Sequence, residues 1–407
     1  MTTSRRNFIA QLTAAAVAGS PLRFAHARPR AQAIDWHELR DEFLVPRDVA
    51  YFNAATLGAQ PRVVLQTVID HMVHVERDLA MWDYKPEHEQ FYAGYYPELS
   101  VRRKLAAFVN ADVDEIALTE NATSGMNIIA NGLDLRVGDE VIMLDKGHIG
   151  SRSGWEVKDK RCGIYVKQVK LPDQPTDMQQ LFDLYDRATT SKTRVWVIEH
   201  LTSACAIPFP VNELCARARE RGIMTVVDGA QSCGHLPVDV AAMGCDAFYT
   251  SASKWMMAPR GISFMYVNRQ VLPELWTTLA SEHWDDHENG AFRLMQRGSC
   301  NGSLVRGLEA ANDIYNEIGF GSEHARIVEL SGLLRSQLSE LDHVNIVSPR
   351  AKELWSGTVT FEVRGFTGVQ LQDALWEHGR VRVRRQGNAV RQCCHVWNLE
   401  KEIARTV

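Results

Sequence analysis

Two short apolar runs near the middle of the chain constrain its fold more than any other feature. Residues 224–227 (M-T-V-V) lead directly into Asp228, and residues 247–249 (A-F-Y) are followed five residues later by Lys254. Both runs carry no charge and are rich in β-branched or aromatic residues, which is typical of strands buried on both faces of a parallel sheet. Because ligands collect at the carboxyl ends of such strands, we expect Asp228 and Lys254 to lie at one binding edge.

Strand-like and helix-like segments alternate from residue 61 to about residue 280. The predicted strands are residues 115–118, 140–144, 164–169, 195–198, 225–227, 247–249 and 262–267. This alternation predicts an α/β domain with a mostly parallel sheet between helices.

The pattern changes after residue 302 to long helices, predicted at 304–318 and 322–341. Shorter elements follow, namely strands at 357–363 and 381–384 and a helix at 369–377. We therefore predict four parts along the chain: a leader at 1–27, a segment at 28–60 that joins the small domain, a large α/β domain at 61–289 and a small α+β domain at 290–407.

A carboxylate and an amine at one sheet edge are the groups that pyridoxal 5′-phosphate requires. Lysine forms a Schiff base with this coenzyme, and aspartate keeps the pyridine nitrogen protonated so that the ring accepts electrons. Taken alone, Asp228 would be an ordinary turn or cap residue and Lys254 part of a solvated loop. Their joint occurrence among small residues favours the coenzyme site.

The block VVDGAQSCGHLPVDVAAMGCDAFYTSASKWMMAPRG at residues 226–261 resembles the core of the class V aminotransferases of fold type I. That family includes cysteine desulfurases, selenocysteine lyases and isopenicillin N epimerase-like enzymes. The resemblance runs from about Tyr51 to the C-terminus, and the epimerase-like branch is the most similar. It implies the fold type I architecture, pyridoxal 5′-phosphate as cofactor and a homodimer whose active sites lie at the subunit interface.

A phosphate site is predicted where residues 119–127 follow a strand and open a helix. Ala122 and Thr123 would lie at the helix N-terminus, where free N–H groups and the helix dipole favour an anion. Asn121 and Thr123 would equally suit an ordinary N-cap. The resemblance implies that this turn binds the coenzyme phosphate.

Three serines complete the phosphate site that the resemblance implies. Ser251 and Ser253 precede the lysine, where the family pattern is Ser-Gly-His-Lys, so Ser253 replaces a histidine and brings no positive charge. Ser299, in the segment Gly298-Ser-Cys-Asn301, resembles the family's Gly-Thr-x-Asn, whose hydroxyl reaches the phosphate of the neighbouring subunit.

Four further residues are expected around the coenzyme ring. His148 follows a predicted strand and has a tryptophan seven residues later, as in the family, where this histidine stacks on the ring and can pass protons. The alternative is an exposed loop histidine. Thr202 and Ser203 occupy the family's polar turn after the strand at 195–198, and Ser203 replaces the asparagine that bonds the coenzyme 3-oxygen. Gln231 can make that bond instead.

The substrate carboxylate is assigned to Arg391. The segment 390–398 resembles the family's Arg-x-Ser-x-x-x-Tyr-Asn, and a planar guanidinium binds a carboxylate through two parallel bonds. Without the resemblance, a basic residue in a C-terminal strand would be taken for a surface ion pair. Asn53 belongs to a segment that, by the same resemblance, closes over the substrate.

The sequence predicts the first chemical step and leaves its outcome open. Lys254 would act as base at the substrate Cα, and the resulting carbanion would spread into the ring while Asp228 stays ionised. Racemisation, transamination and elimination all begin from that carbanion.

One absence separates these outcomes. Desulfurases carry a reactive cysteine in a loop before the carboxylate arginine, whereas residues 384–391 contain none. We therefore expect an epimerase- or aminotransferase-like enzyme acting on an amino acid or an amino-acid unit of a peptide metabolite such as a siderophore. A C–S lyase is the alternative, because elimination needs no cysteine nucleophile. A binding protein without activity is a third hypothesis, against which the retained Lys254 and Asp228 argue.

The amino terminus predicts export. Residues 4–9 (S-R-R-N-F-I) place paired arginines before an Ala-rich stretch that is too short to span a bilayer. Residues 25–27 (A-H-A) offer the small side chains that a signal peptidase recognises. We therefore expect a bacterial twin-arginine signal, passage through the translocase in folded form and a periplasmic location. The alternative is a basic, Ala-rich helix start.

The composition of the chain limits the classes of binding partner that we expect. The chain has a net charge of −5, which argues against nucleic acid and against a stable association with anionic membranes. The 8 cysteines show no framework spacing and no C-x-x-C pair, so we expect free, mostly buried thiols and no metal site. The expected partners are a small amino-acid or peptide substrate, a second copy of the chain and, during export, the translocase.

Overall fold

A seven-stranded mixed sheet is the central feature of the computed structural model, which describes residues 34–81 and 96–407. In chain order, the strands are β1 (Ala50–Tyr51), β2 (Ile116–Thr119), β3 (Glu140–Leu144), β4 (Tyr165–Val169), β5 (Thr193–Glu199), β6 (Met224–Asp228), β7 (Ala247–Tyr249), β8 (Ser263–Val267), β9 (Val344–Ile346), β10 (Thr358–Val363), β11 (Val381–Arg382), β12 (Arg384–Gln386) and β13 (Ala389–Cys393). The spatial order of the seven-stranded sheet is β2-β8-β7-β6-β5-β3-β4.

Most neighbours in this sheet run parallel. Strands β3, β4, β5, β6 and β7 pair in parallel, whereas β8 is antiparallel to both β2 and β7. Every residue of β7 and β8 is buried, because the inner strands are covered on both faces, and every residue of the edge strand β2 is buried as well. The predicted α/β class with a mostly parallel sheet is therefore confirmed.

The helices of the described part alternate with the strands from β2 to β7. They are α1 (Trp36–Asp41), α2 (Arg62–Asp78), α3 (Leu99–Val109), α4 (Ala122–Gly132), α5 (Ile149–Cys162), α6 (Met178–Ala188), α7 (Val211–Glu220), α8 (Val240–Met243), α9 (Gly302–Ile318), α10 (Phe320–Ser339), α11 (Gly368–Gly379) and α12 (Glu400–Ile403). Local capping sets several of their boundaries. Helix α4 begins after Asn121, whose side chain accepts a bond from the Ser124 N–H, and α5 ends at Gly163, which adopts a φ of 70°.

A second, antiparallel sheet lies in the C-terminal region, with the order β12-β13-β10-β9. Its apolar side chains form one buried cluster with leucines of α10, such as Leu330 and Leu334. Strand β1 pairs in parallel with β11, which brings the segment around residue 50 against this region.

The strands predicted in the large sheet agree with the structure to within two residues at each end. The strand predicted at 381–384 is wrong as a single element, because β11 ends at Arg382 and β12 begins at Arg384, with different partners. Strands β1 and β9 were not predicted, since two or three residues carry no periodicity. Among the described residues, no helix combines the length and the apolar character needed to cross a membrane.

The 8 cysteines are free thiols, as expected. Five are buried, Cys205 and Cys300 are partly buried and Cys162 is exposed at the end of α5, which agrees with the expectation of mostly buried thiols. The predicted leader at 1–27 lies outside the described residues.

Candidate active site

Asp228 and Lys254 lie close together at the carboxyl edge of the large sheet. Asp228 is the last residue of β6 and is paired with Tyr249, the last residue of β7, from which the chain continues to Lys254. Burial lowers the pKa of Lys254 to about 8, and the nearby carboxylate of Asp228 opposes this lowering. The Lys254 amine makes no hydrogen bond or ion pair with any described residue, so it is free to bond with a ligand.

The turn that carries Lys254 is fixed by hydroxyl groups. Ser263 Oγ accepts a bond from the Ala252 N–H at 3.0 Å and donates to the Thr250 carbonyl at 2.8 Å. Thr250 Oγ1 in turn donates to the Gly229 carbonyl at 2.9 Å, which ties the turn after β7 to the turn after β6. The lysine is therefore presented by a rigid backbone rather than by a mobile loop.

The N-terminal segment lies directly over this turn. The Gly58 N–H donates to the Ser253 carbonyl at 2.8 Å. A Cβ atom at Gly58 would lie 1.9 Å from the Lys254 carbonyl oxygen, so no larger residue fits there without displacing one of the two backbones.

The Asp228 carboxylate is held by two donors. Its Oδ1 accepts a bond from the Ala230 N–H at 2.8 Å, and its Oδ2 accepts one from the hydroxyl of Ser151. Ser151 is 7% exposed and was not predicted. Its position about one helical turn after His148, the N-cap of α5, is the signal that could have revealed it. Ser151 therefore connects the helix that begins at His148 to the aspartate.

His148 is the N-cap residue of α5. Its ring Nδ1 accepts a bond from the Gly150 N–H at 3.0 Å, so Nε2 carries the proton in the neutral ring. Burial lowers the pKa of His148, and the nearby Lys254 lowers it further, which favours the neutral imidazole. His148 is exposed in the single chain, as in the alternative of an exposed loop histidine, but its ring lies within electrostatic reach of Lys254 and Asp228, and its contact with the coenzyme ring stays a prediction.

The predicted phosphate helix has the geometry of an anion site. Ala122 is the first residue of α4 and Thr123 the second, and helices leave their first N–H groups without intrahelical partners. Asn121 caps the Ser124 N–H, which leaves the N–H groups of Ala122 and Thr123 for an anion, and the binding of phosphate there stays a prediction. Thr123 is close to the His148 turn, because a Cβ on Gly150 would lie 2.7 Å from its Oγ1.

The three serines differ in accessibility. Ser251 is buried and Ser253 is partly exposed, and both precede Lys254 in the fixed turn. Ser299 is exposed, next to Arg297, whose Nη1 donates to the Leu118 carbonyl at 3.2 Å near the end of β2.

Polar groups predicted for the coenzyme 3-oxygen are largely engaged with protein atoms. Thr202 Oγ1 accepts a bond from the Ile207 N–H at 3.0 Å and thereby closes its own turn. The Gln231 amide is held at both ends, donating to the Ala55 carbonyl at 3.1 Å and accepting from Trp255 Nε1 at 2.9 Å. One N–H of that amide remains available to a ligand.

Arg391 is buried in β13, with 4% of its surface exposed. Its Nη1 donates to the Ser203 carbonyl and its Nη2 to Thr56 Oγ1 at 2.9 Å. The buried Nε has no hydrogen-bond partner among the described residues, and each Nη keeps a second N–H. An anion is the ligand that such a group requires.

The segment of Asn53 lies beside Arg391. Asn53 pairs with Cys393 in an isolated parallel bridge, and its buried Oδ1 has no partner in the described part of the chain. Thr56, three residues later, supplies the hydroxyl that holds Arg391 and was missed, because an isolated threonine in a short segment carries no signal.

Glu199 is a second buried carboxyl that the sequence did not reveal. It is the last residue of β5, is paired with Asp228 across the sheet and is 6% exposed. Its carboxyl accepts backbone bonds from His148 and Ser203. Since Ser203 also accepts from Arg391, Glu199 links the turn of His148 to the turn that holds the arginine.

These groups fit pyridoxal 5′-phosphate. The amine of Lys254 is unpaired and has a lowered pKa, the Asp228 carboxylate is fixed by two donors, and α4 offers free N–H groups to an anion. The buried Nε of Arg391, a residue within electrostatic reach of Lys254, lacks a partner among the described residues.

Comparison with known proteins agrees with this geometry. The family model described as aminotransferase class V matches residues 51–406. The isopenicillin N epimerase of Streptomyces clavuligerus is 28% identical over 392 residues, which are 91% of this chain and 96% of that protein. A cysteine desulfurase of Escherichia coli O8 (strain IAI1) is 27% identical over 265 residues, or 62% of this chain and 64% of that protein.

Solved structures share the fold. A C-DES variant with glycine covalently linked to the PLP cofactor superimposes with a TM-score of 0.79 at 23% identity, covering 90% of this chain and 97% of that one. The apo cysteine desulfurase of Thermococcus onnurineus NA1 gives a TM-score of 0.78 at 21% identity, covering 90% and 95%. The chain therefore belongs to the aminotransferase class V family and is a pyridoxal-phosphate-dependent enzyme of fold type I.

Proposed function

We propose that this enzyme removes the Cα proton of an amino acid, or of an amino-acid unit in a peptide metabolite, as an epimerase or aminotransferase does. The observation that carries the proposal is the unpaired amine of Lys254, which lies within electrostatic reach of Asp228, His148 and Arg391. The similarity to isopenicillin N epimerases over nearly the whole chain supports the epimerase-like branch.

Each residue has a task that follows from its surroundings. Asp228 would hold the pyridine nitrogen of pyridoxal phosphate, which when bound supplies a ring that accepts the electron pair left at Cα. A pKa of about 8 leaves a larger fraction of the Lys254 amine neutral near pH 7 than an unperturbed lysine would have, so more of it is able to accept the proton from Cα. Arg391 binds the substrate carboxylate, and His148 confines the ring from the α5 side.

A C–S lyase remains the second candidate, because the desulfurase-like relatives share the same core and elimination starts from the same proton transfer. The two functions differ in product. Release of thiol from a sulfur amino acid supports the lyase, whereas an enantiomer or a keto acid supports the epimerase- or aminotransferase-like assignment.

Lys254→Ala should abolish the borohydride-fixable link between the coenzyme and the protein and the exchange of Cα hydrogen with deuterated solvent, because both need the amine. Lys146→Ala, which removes an exposed lysine paired with Asp173, should keep both. In the parent protein, borohydride reduction followed by peptide mapping should find the coenzyme on the Lys254 peptide. Exchange by Lys254→Ala at the parent rate, or a coenzyme label on another lysine, would contradict the proposal.

Glu199 should be protonated in the apo-protein at neutral pH. Burial raises its pKa to about 8, and the Asp228 carboxylate raises it as well, whereas backbone bonds from Ser203 and His148 oppose the shift. A neutral carboxyl next to Lys254 leaves Asp228 as the negative charge that the coenzyme nitrogen meets.

Glu199→Gln should change the pH dependence of stability. Because the folded pKa lies above the unfolded value of about 4.3, the protonated carboxyl stabilises the parent fully at acid pH, and that contribution is lost as pH rises towards about 8. The variant cannot ionise, so its stability relative to the parent should increase with pH, by at most about 1.4 kcal/mol per unit. Urea unfolding of the apo-proteins measures this, with the exposed Glu213→Gln as control. Parallel curves for parent and Glu199→Gln would show that Glu199 is ionised.

We propose in addition that the enzyme is a homodimer with shared active sites. Large apolar side chains such as Trp276 and Trp284 are exposed on the single chain, and Ser299 is exposed as well, which suits contact with a second copy. Sedimentation equilibrium of the holoenzyme should give a dimer, and Trp276→Glu with Trp284→Glu should weaken it. A monomeric parent protein at micromolar concentration would contradict this assignment.

Export to the periplasm is also proposed, on the paired Arg5 and Arg6 and the small residues at 25–27. The protein recovered from the periplasm should begin at Arg28, as determined by N-terminal sequencing. Arg5→Lys with Arg6→Lys should retain the protein in the cytoplasm, because the translocase reads the arginine pair, whereas Arg23→Lys should be exported normally. Normal export of the double variant would disprove the twin-arginine route.

A further inference from the structure

A second arginine faces the site next to Arg391. Arg384 in β12 is directly opposite Arg391 in β13 in the antiparallel register, so the two side chains project from the same face of the small sheet. Arg391 is buried and Arg384 is exposed, so Arg384 is the more accessible to solvent of the two arginines on this face of the small sheet.

Arg384 has an open guanidinium. Arg380 and Arg382, earlier in the same segment, both pack over the ring of Trp376. Arg384 makes no hydrogen bond, ion pair or ring contact with any described residue. Like charges directly opposite each other in a sheet repel, and here no carboxylate of the described chain compensates the pair.

The charge of Arg384 reaches the reacting groups. Burial lowers the pKa of Lys254, and the positive charges of Arg391 and Arg384 add to that lowering. His148 responds to the same two arginines after burial and Lys254. The charge of Arg384 therefore acts on the same two groups as the charge of Arg391 does.

We propose that Arg384 selects substrates with a second anionic group, such as an acidic amino acid or an acidic unit of a peptide metabolite. The inference deepens the function proposed above and rests on it. The α-carboxylate binds Arg391, and a second carboxylate, on the substrate side chain, binds Arg384. Two separate cations in register distinguish a dianion from a monoanion of equal length, because only the dianion neutralises both.

The adjacent Arg385 provides a matched control. Side chains alternate along a strand, so Arg385 projects from the opposite face, where its Cγ would lie 3.0 Å from a Cβ on Gly368 at the start of α11. Arg384→Gln and Arg385→Gln remove the same charge from neighbouring exposed positions, and only the first is on the face of Arg391.

The test uses two inert acids of equal carbon number, valerate and glutarate, titrated into the holoenzyme by calorimetry. Glutarate should bind the parent more tightly than valerate. Arg384→Gln should raise the dissociation constant of glutarate by about ten-fold and leave that of valerate unchanged, as expected for the loss of one charge-assisted contact. Arg385→Gln should bind both acids as the parent does.

Three results would overturn the inference: equal affinity of the parent for both acids, equal behaviour of Arg384→Gln and Arg385→Gln, or a loss of coenzyme affinity in Arg384→Gln with glutarate binding intact. The last would assign Arg384 to the coenzyme phosphate. Arg391→Gln separates this failure from that of the proposed function. If Arg391→Gln binds both acids as tightly as the parent, the carboxylate site itself is wrongly assigned.

Discussion

The parallel pairing of β6 with β7 is the constraint on which the active site depends. It aligns Asp228 with Tyr249 in register, and the chain that leaves β7 has only a short, hydroxyl-pinned turn before Lys254. A carboxylate and an amine thus approach each other at a buried edge without being bonded to each other. Both groups can therefore interact with a ligand that carries complementary charges. Burial lowers the pKa of the Lys254 amine, so it holds its proton less firmly than it would in water.

Hydrogen bonds connect the turns and helices that surround Asp228 and Lys254. Glu199 receives bonds from the turns of His148 and Ser203, and Ser203 accepts from Arg391. Ser151 joins the helix of His148 to Asp228. One hydrogen-bonded network therefore holds the residues that would contact the coenzyme ring and those that would contact the substrate. A substitution in one group should alter the positions of the other.

The sequence predicted the large sheet well, because buried parallel strands are continuous apolar runs that end in polar turns. It also brought Asp228, which directly follows one such run, and Lys254, five residues after another, to the same edge of the sheet, as the structure has them. Ser151, Thr56 and Glu199 could not be predicted in the same way. Each acts through tertiary contact, and an isolated serine, threonine or glutamate has the same appearance in a sequence whether it faces solvent or a catalytic group. The division of 381–386 into two strands has a similar cause, since the partners of each half lie far apart in the chain.

The close approach of Gly58 to the backbone of Lys254 has a consequence for biosynthesis. Gly58 belongs to an early segment, whereas Arg391 and Cys393, which flank the same segment, are synthesised much later. A nascent chain can form the large sheet and present its lysine, but it cannot enclose a ligand there until Arg391 and Cys393 have packed against the early segment. Retention of the coenzyme should therefore be acquired only when these two distant segments meet.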